Sequence, residues 1–200
     1  AAIYSELKFP IYFINGNHDD RPGLVEALKM APKKDLAAAK ELLSYTFEIQ
    51  GIKFLTIDMV GPKEIDPHGL CSPQQLEILR DELRDSKPTV IFGHFPFFNF
   101  DCIWLDRDML VLNSELVESA ISTPDGKVLA YFFGHIHRPF HAISNGVMYS
   151  AAASACFQIQ SYPPQTGPVL EGTHQASFNL VTVSSESVLV KEIGFPTASA

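Results

Sequence analysis

Three apolar runs in this chain each stop at a glycine that is followed within two residues by a histidine: "PIYFINGNHD" (10 to 19), "PTVIFGH" (88 to 94) and "KVLAYFFGHIH" (127 to 137). Runs that are apolar throughout, rather than alternating, read as strands buried on both faces, as in a sheet with helices packed against it. A glycine at each strand end lets the backbone turn sharply, so the polar side chains after it can be aimed at one place. In open α/β sheets such carboxyl-end loops are where ligands bind. One pattern thus constrains both the fold and the location of any chemistry.

The segments between these runs complete the expected architecture. Helices are predicted from Gly23 to Met30 and over "DLAAAKELLSY" (35 to 45), the second with Asp35 as its cap. "YTFEIQGIKFLTID" alternates on both sides of Gln50-Gly51, the form of a tight hairpin. "SPQQLEILRDEL" carries a capping box, Ser72 with Gln75, has Pro73 at the first helical position and sets Leu76, Leu79 and Leu83 on one face. A further helix is predicted over "NSELVESAIS", and hairpins over "HAISNGVMYSAA" and "ASFNLVTVSSESVLVKEI". Between those hairpins "QSYPPQTGPVLEGTH" is too rich in Pro and Gly for regular structure and reads as a flap or surface loop. Early helix–strand alternation and late hairpins predict mixed sheets with helices outside and one antiparallel edge, as a single domain over 1–200.

Charge and cysteine usage narrow the function classes. With 15 basic against 23 acidic residues the net charge is -8, which argues against a nucleic-acid polymer or an anionic membrane as partner. Any phosphate chemistry needs a local source of positive charge. Three widely spaced cysteines without CxxC suggest neither a disulfide framework nor a zinc knuckle, and fit reduced thiols in the cytoplasm. No apolar run approaches the about 20 residues of a membrane-spanning helix. The chain opens on "AAIYSELKFP", which reads as the last turns of a helix already under way, so it is expected to be the C-terminal part of something longer.

Four of the seven histidines, His18, His94, His135 and His137, belong to the three clusters. Imidazole nitrogen suits Zn, Mn and Fe, and the amide oxygen of Asn17 is a weak hard ligand that serves when carboxylates supply charge. His135 and His137, two apart in an irregular loop, can serve two ions, which lie about 3.5–4 Å apart in dinuclear hydrolytic sites. A single Gly-His strand end is more often structural than ligating; three in one chain point to convergence. His68, His141 and His174 lack that setting and read as surface or core residues, while Asp101, Asp106 and Asp108 read as a solvated loop face.

"GNHD", "GHFP" and "GHIH", in this order, resemble the last three motifs of the calcineurin-like metallophosphoesterases. "GNHDDR", the "SPQQLEIL" helix and "SACFQI" look most like the branch with class III cyclic nucleotide phosphodiesterases and glycerophosphodiesterases. The resemblance covers nearly all of the chain and implies an α/β fold, a sandwich of two mixed β-sheets flanked by helices. It implies two divalent metal ions (Mn, Fe or Zn), with Asn17, His94 and His135 on one and His137 on the other. It makes His18 the acid that protonates the leaving alkoxide, with Asp19 orienting and charge-stabilising it, and a metal-bridging hydroxide the nucleophile. The implied substrate is a 3′,5′-cyclic nucleotide or another small phosphodiester.

Of the family's two earlier motifs, Gly-Asp-x-x-Asp/Asn does not occur in residues 1–200 and no Asp-x-His precedes "GNHD"; the one match, "DPH" at Asp66, lies in a loop on the wrong side of it. The domain is therefore expected to be N-terminally incomplete, metal-poor and nearly inactive by itself, with an open sheet edge that a homodimer could cover. Two other readings share the scaffold: a non-catalytic binding protein, and a phosphomonoesterase or phosphoprotein phosphatase. The scattered Arg21, Arg80, Arg84, Arg107 and Arg138 weigh against a protein-substrate groove.

Overall fold

The computed structural model describes residues 4, 6–36, 41–122, 126–171 and 175–195. Helices α1 (Arg21–Ala27), α2 (Pro73–Glu82), α3 (Ile103–Asp108) and α4 (Ser114–Ile121) accompany nine strands. These are β1 (Lys34–Asp35), β2 (Tyr45–Ile49), β3 (Ile52–Thr56), β4 (Pro88–Phe92), β5 (Lys127–Phe133), β6 (Phe140–Ser144), β7 (Val147–Ala151), β8 (Ala176–Val183) and β9 (Val188–Phe195). Seven of them form one sheet in the order β1-β2-β3-β4-β5-β7-β6. Its centre, β3-β4-β5-β7, is parallel, and both edges are antiparallel where a single edge was expected. The physical reason is at the β1 end: β2 and β3 form a hairpin, so β2 must run against the parallel core.

The hairpin turns follow their sequences closely. Gln50 (φ 50°) with Gly51 (φ 81°), and Asn145 (φ 50°) with Gly146 (φ 78°), occupy the left-handed region that a two-residue type I′ turn requires. The capping box of α2 is complete, with Ser72 Oγ accepting from Gln75 N and the Gln75 side chain accepting from Ser72 N. Leu76, Leu79 and Leu83 are buried, each contributing roughly 1.5–3 kcal/mol. They join Val117, Ala120 and Ile121 of α4 and Ile91, Tyr131 and Phe133 of the sheet in the main core.

The opposite face of the sheet is covered differently. Ile52, Val90, Ala130 and Phe132 meet Val181, Val183, Val188 and Val190 of the β8–β9 ribbon. The α/β sandwich is thus present, but its second layer is this two-stranded antiparallel ribbon rather than a second mixed sheet. The ribbon's outer side carries exposed Phe178, Leu180, Leu189 and Ile193. Among the described residues no helix is long and apolar enough to cross a membrane.

Three expected elements differ. The segment 10–15 runs beside the sheet without joining a ladder. It is tied by Tyr45 Oη donating to Phe13 O (2.7 Å) and Ala31 N donating to Ile11 O (2.9 Å). The helix expected over 35–45 is absent at its described ends: Asp35 pairs with Tyr45 in β1–β2 and Leu36 N donates to Ser44 O. Burial of Leu36 and Leu43 overrides the helix propensity; residues 37–40 lie outside the described set. Helix α1 begins two residues earlier and ends three earlier than Gly23 to Met30, because Asp20 caps it, accepting from Gly23 N, and Leu28 is already extended. Of the helix turns expected before Pro10, residues 1–3 and 5 lie outside the described set; Leu7 N donates to Tyr4 O (3.3 Å), and residues 7–10 are not helical.

Candidate metal centre

The Asn17 turn is built by hydrogen bonds on either side of it. Asp19 N donates to Gly16 O (3.2 Å) while Gly16 N donates to Asp19 Oδ2 (2.7 Å), closing a tight loop. Gly16 is buried, and a Cβ there would come within 2.7 Å of the His94 ring, so only glycine lets the loop lie against that imidazole. Both flanks are clamped by one buried carboxylate, Asp58. Its Oδ1 accepts from Asn15 Nδ2 (3.1 Å) and Val60 N (3.0 Å), and its Oδ2 from Arg21 Nε (2.6 Å) and Leu43 N (2.9 Å). Four donors, one of them cationic, offset the cost of burying that charge.

The other side of the centre grows from the parallel strands. β4 and β5 run side by side, Gly93 N donates to Phe132 O (3.0 Å) and Gly134 N to His94 O (3.1 Å), so the loops after both strands stay in register. His135 (φ 68°) and His137 (φ 48°) both adopt the left-handed backbone, which turns the two rings out of the strand's alternation. His94 Nε2 lies 3.0 Å from Asn17 Oδ1 and 3.2 Å from His135 Nδ1. His135 packs on Phe95 (ring centroids 4.6 Å) and His137 on Phe157 (4.4 Å).

The electrostatics of His94, His135 and His137 are set by burial first and by neighbouring charges second. Burial pushes His94 down to about 4, against the pull of Asp19, and His135 down to about 3. Burial also lowers His137, and the charge of His18 depresses all three. The ligand candidates are therefore neutral at pH 7 with lone pairs available. His135 Nε2 and His137 Nδ1 are buried with no hydrogen-bond partner among the described residues.

This donor set fits a divalent ion. With metal–nitrogen bonds of about 2.0–2.1 Å, ligand atoms around one ion sit about 3.0–3.4 Å apart, and the Asn17–His94–His135 contacts of 3.0 and 3.2 Å match. His137 Nδ1, buried without a hydrogen-bond partner among the described residues, is a nitrogen that an ion would satisfy, whereas the unpartnered nitrogen of His135 is Nε2 and not the Nδ1 that faces His94. The neighbouring carboxylates are already engaged: Asp19 on Gly16 N, Asp58 on its four donors, and Asp66 on Asn17 Nδ2 (2.9 Å). Among the described residues no group of three His, Cys, Asp or Glu side chains could hold a metal ion by itself.

The structure brings together Asn17, His94 and His135, with His137 and His18 close by. His18 is exposed and has no hydrogen-bond partner among the described residues, and Asp19 makes its bond to Gly16 rather than to His18. Asp19 Oδ2 thus closes the turn that carries His18. His68 Nδ1 contacts Leu110 O (3.0 Å) and His141 Nδ1 contacts Ser150 Oγ (3.1 Å), in keeping with structural roles; His174 lies outside the described residues. Asp106 is not a solvated residue but holds the Phe100 and Cys102 amides (2.6 and 3.2 Å), because α3 begins there without another cap. The three cysteines are free. Asp58 has no reading in the sequence and Asp66 is set aside there as a loop residue, since nothing near either marks a partner 37 to 49 residues away. A lone Asp ending the apolar run "FLTID" was the available signal for the first.

Comparison with known proteins agrees with this geometry. The Calcineurin-like phosphoesterase family profile matches residues 1–139. The chain is 31% identical over 153 residues to the 3′,5′-cyclic adenosine monophosphate phosphodiesterase CpdA of Haemophilus influenzae, covering 76% of this chain and 52% of that protein. It is 29% identical over 164 residues to CpdA of Escherichia coli K12, covering 81% and 56%. The chain spans about half the length of these curated relatives. A dimetal phosphatase from Danio rerio shares the fold at a TM-score of 0.60 and 19% identity, over 90% of this chain and 68% of that one. With "GHFP" and "GHIH" at the ends of two parallel strands, the "GNHD" turn beside them and a family profile spanning most of its length, the chain belongs to the calcineurin-like phosphoesterase family.

Proposed function

We propose that the protein hydrolyses small phosphodiesters, 3′,5′-cyclic nucleotides foremost, at a centre for two divalent ions (Mn, Fe or Zn). The observation that carries this reading is the run of contacts from Asn17 Oδ1 through His94 Nε2 to His135 Nδ1, with exposed His18 beside it. Asn17, His94 and His135 would hold one ion and His137 would contribute to the other. Such ions supply positive charge against phosphate oxygens and a water of lowered pKa, which a chain of net charge -8 otherwise lacks.

The chain's own residues do the rest. Solvent-facing His18 can meet a bound phosphodiester and give a proton to the departing alkoxide oxygen as the P–O bond breaks. Asp19, by closing the turn, keeps His18 projecting outward and puts negative charge near His94. The similarity to CpdA proteins supports a cyclic nucleotide substrate, and the free thiols fit a reducing cytoplasm.

The test is hydrolysis of bis-p-nitrophenyl phosphate and 3′,5′-cyclic AMP by chelator-stripped protein given Mn²⁺. Because residues 1–200 carry neither Gly-Asp-x-x-Asp/Asn nor an Asp-x-His ahead of "GNHD", weak turnover that needs the ion and disappears in His94→Ala is expected. Stoichiometric Mn²⁺ binding without hydrolysis of either compound would favour the non-catalytic reading.

A further inference from the structure

Asn17 poses a problem that the histidines do not. A side-chain amide is nearly symmetric in shape and opposite in polarity at its two ends, and only the oxygen can ligate a cation. The contact with His94 Nε2 does not choose the end, because a neutral imidazole nitrogen can donate or accept. A carboxylate can only accept. Asp66 Oδ1 lies 2.9 Å from the far end of the Asn17 amide, so that end must be the NH₂ and the oxygen must face His94.

The loop that presents Asp66 is itself held. Asp66 N donates to Lys63 O (3.2 Å), His68 N to Ile65 O (2.8 Å), Leu70 N to Met59 O (2.8 Å) and Leu112 N to Gly69 O (2.9 Å). Gly69 lies so close to Phe95 that a Cβ would approach its ring to 2.6 Å, and Phe95 is the residue packed on His135. The loop is thereby wedged against the same side chains that set the centre.

We infer that Asp66 is a positioning residue for metal binding: by accepting from Asn17 Nδ2 it holds Asn17 Oδ1 toward the cation site. The inference rests on the reading of Asn17 as a ligand. It assigns to "IDPHG" a part that neither its place in the chain nor the family motifs suggest.

The experiment is calorimetric titration of chelator-stripped protein with Mn²⁺, using the full chain, in wild type, Asp66→Ala, Asp66→Asn, Asn17→Ala and the Asn17→Ala/Asp66→Ala pair. Asp66→Ala is expected to weaken Mn²⁺ binding about tenfold, as loss of a hydrogen-bond partner to a ligand does. Asp66→Asn, which keeps an acceptor oxygen in place, should weaken it less. In the Asn17→Ala background Asp66→Ala should change nothing further. Equal losses in both backgrounds, or equal losses for the Ala and Asn variants, would show that Asp66 acts through its charge and overturn the inference. Wild-type affinity in Asp66→Ala alongside weakened binding in Asn17→Ala would also overturn it while leaving the ligand reading intact. Unchanged binding in Asn17→Ala would bring down the ligand reading itself.

Discussion

The Asn17–Asp19 turn and the His135–His137 turn stand on either side of His94, and they are held by opposite means. Behind the first there is no strand: the chain before it joins no ladder, its flanks hang on the Asp58 carboxylate, and its own residues avoid positive φ. Behind the second is β5, paired in parallel on both sides and buried for most of its length, and here two histidines carry left-handed backbone. A turn anchored by side chains is free of strain but depends on one group; a turn anchored by a sheet can store strain because the ladder over-determines it. The centre combines a fragile half and a rigid half.

The difference can be broken most forcefully at Asp58. Asp58→Ala strands the Arg21 guanidinium and frees three other donors, and removing one member of a buried pair costs about 3–5 kcal/mol. Urea denaturation should register that loss, and a change below about 1 kcal/mol would show that the first turn has another anchor. Next comes His18→Gln. Loss of a general acid lowers turnover about 10²–10⁴-fold, and because His18 is exposed the melting temperature and metal content should stay at wild-type values. A fall in stability of comparable size would mean that His18 belongs to the scaffold.

Gly16→Ala tests where the two halves touch. Its Cβ would enter the His94 ring at 2.7 Å, and overpacking of this kind costs about 1–3 kcal/mol. Weaker Mn²⁺ binding by titration, with the fold retained by circular dichroism, is the expected result; unchanged binding would mean that the turn yields instead of the ring. The smallest effect is expected at His137→Asn. Asn tolerates the left-handed backbone, which costs other residues about 1–2 kcal/mol, and this gain offsets the lost contact with Phe157. Chelator-treated protein should therefore melt close to wild type even though one candidate ligand is gone. A large loss would show that the second half of the centre also depends on its side chains.

The elements that were legible in the sequence share a property: their determinants lie within a few residues. Gln50-Gly51 and Asn145-Gly146 specify their turns because only certain residues accept positive φ. Ser72 and Gln75 specify the start of α2, and the apolar runs of β4 and β5 specify strands that end at histidines. The misread elements were decided at longer range. Residues 10–15 look like a strand but found their partners in the Tyr45 hydroxyl and the Ala31 amide, and Asp35, a plausible helix cap, pairs instead with Tyr45.

The same division runs through the site. From its residues alone the chain determined that His94 and His135 would stand at glycine-bearing strand ends, and that Asn17, His94, His135 and His137 were of the right chemistry to share cations. Only the tertiary structure decided that Asp19 Oδ2 closes the turn on Gly16 N, that Asp58 clamps both flanks of the motif, and that Asp66 reaches Asn17 across 49 residues of chain. Ligand type is a property of a side chain, readable wherever it occurs. Which carboxylate meets which donor depends on the packing of strands and loops far apart in sequence, and a hydrogen bond leaves no mark on either partner until the fold brings them within about 3 Å.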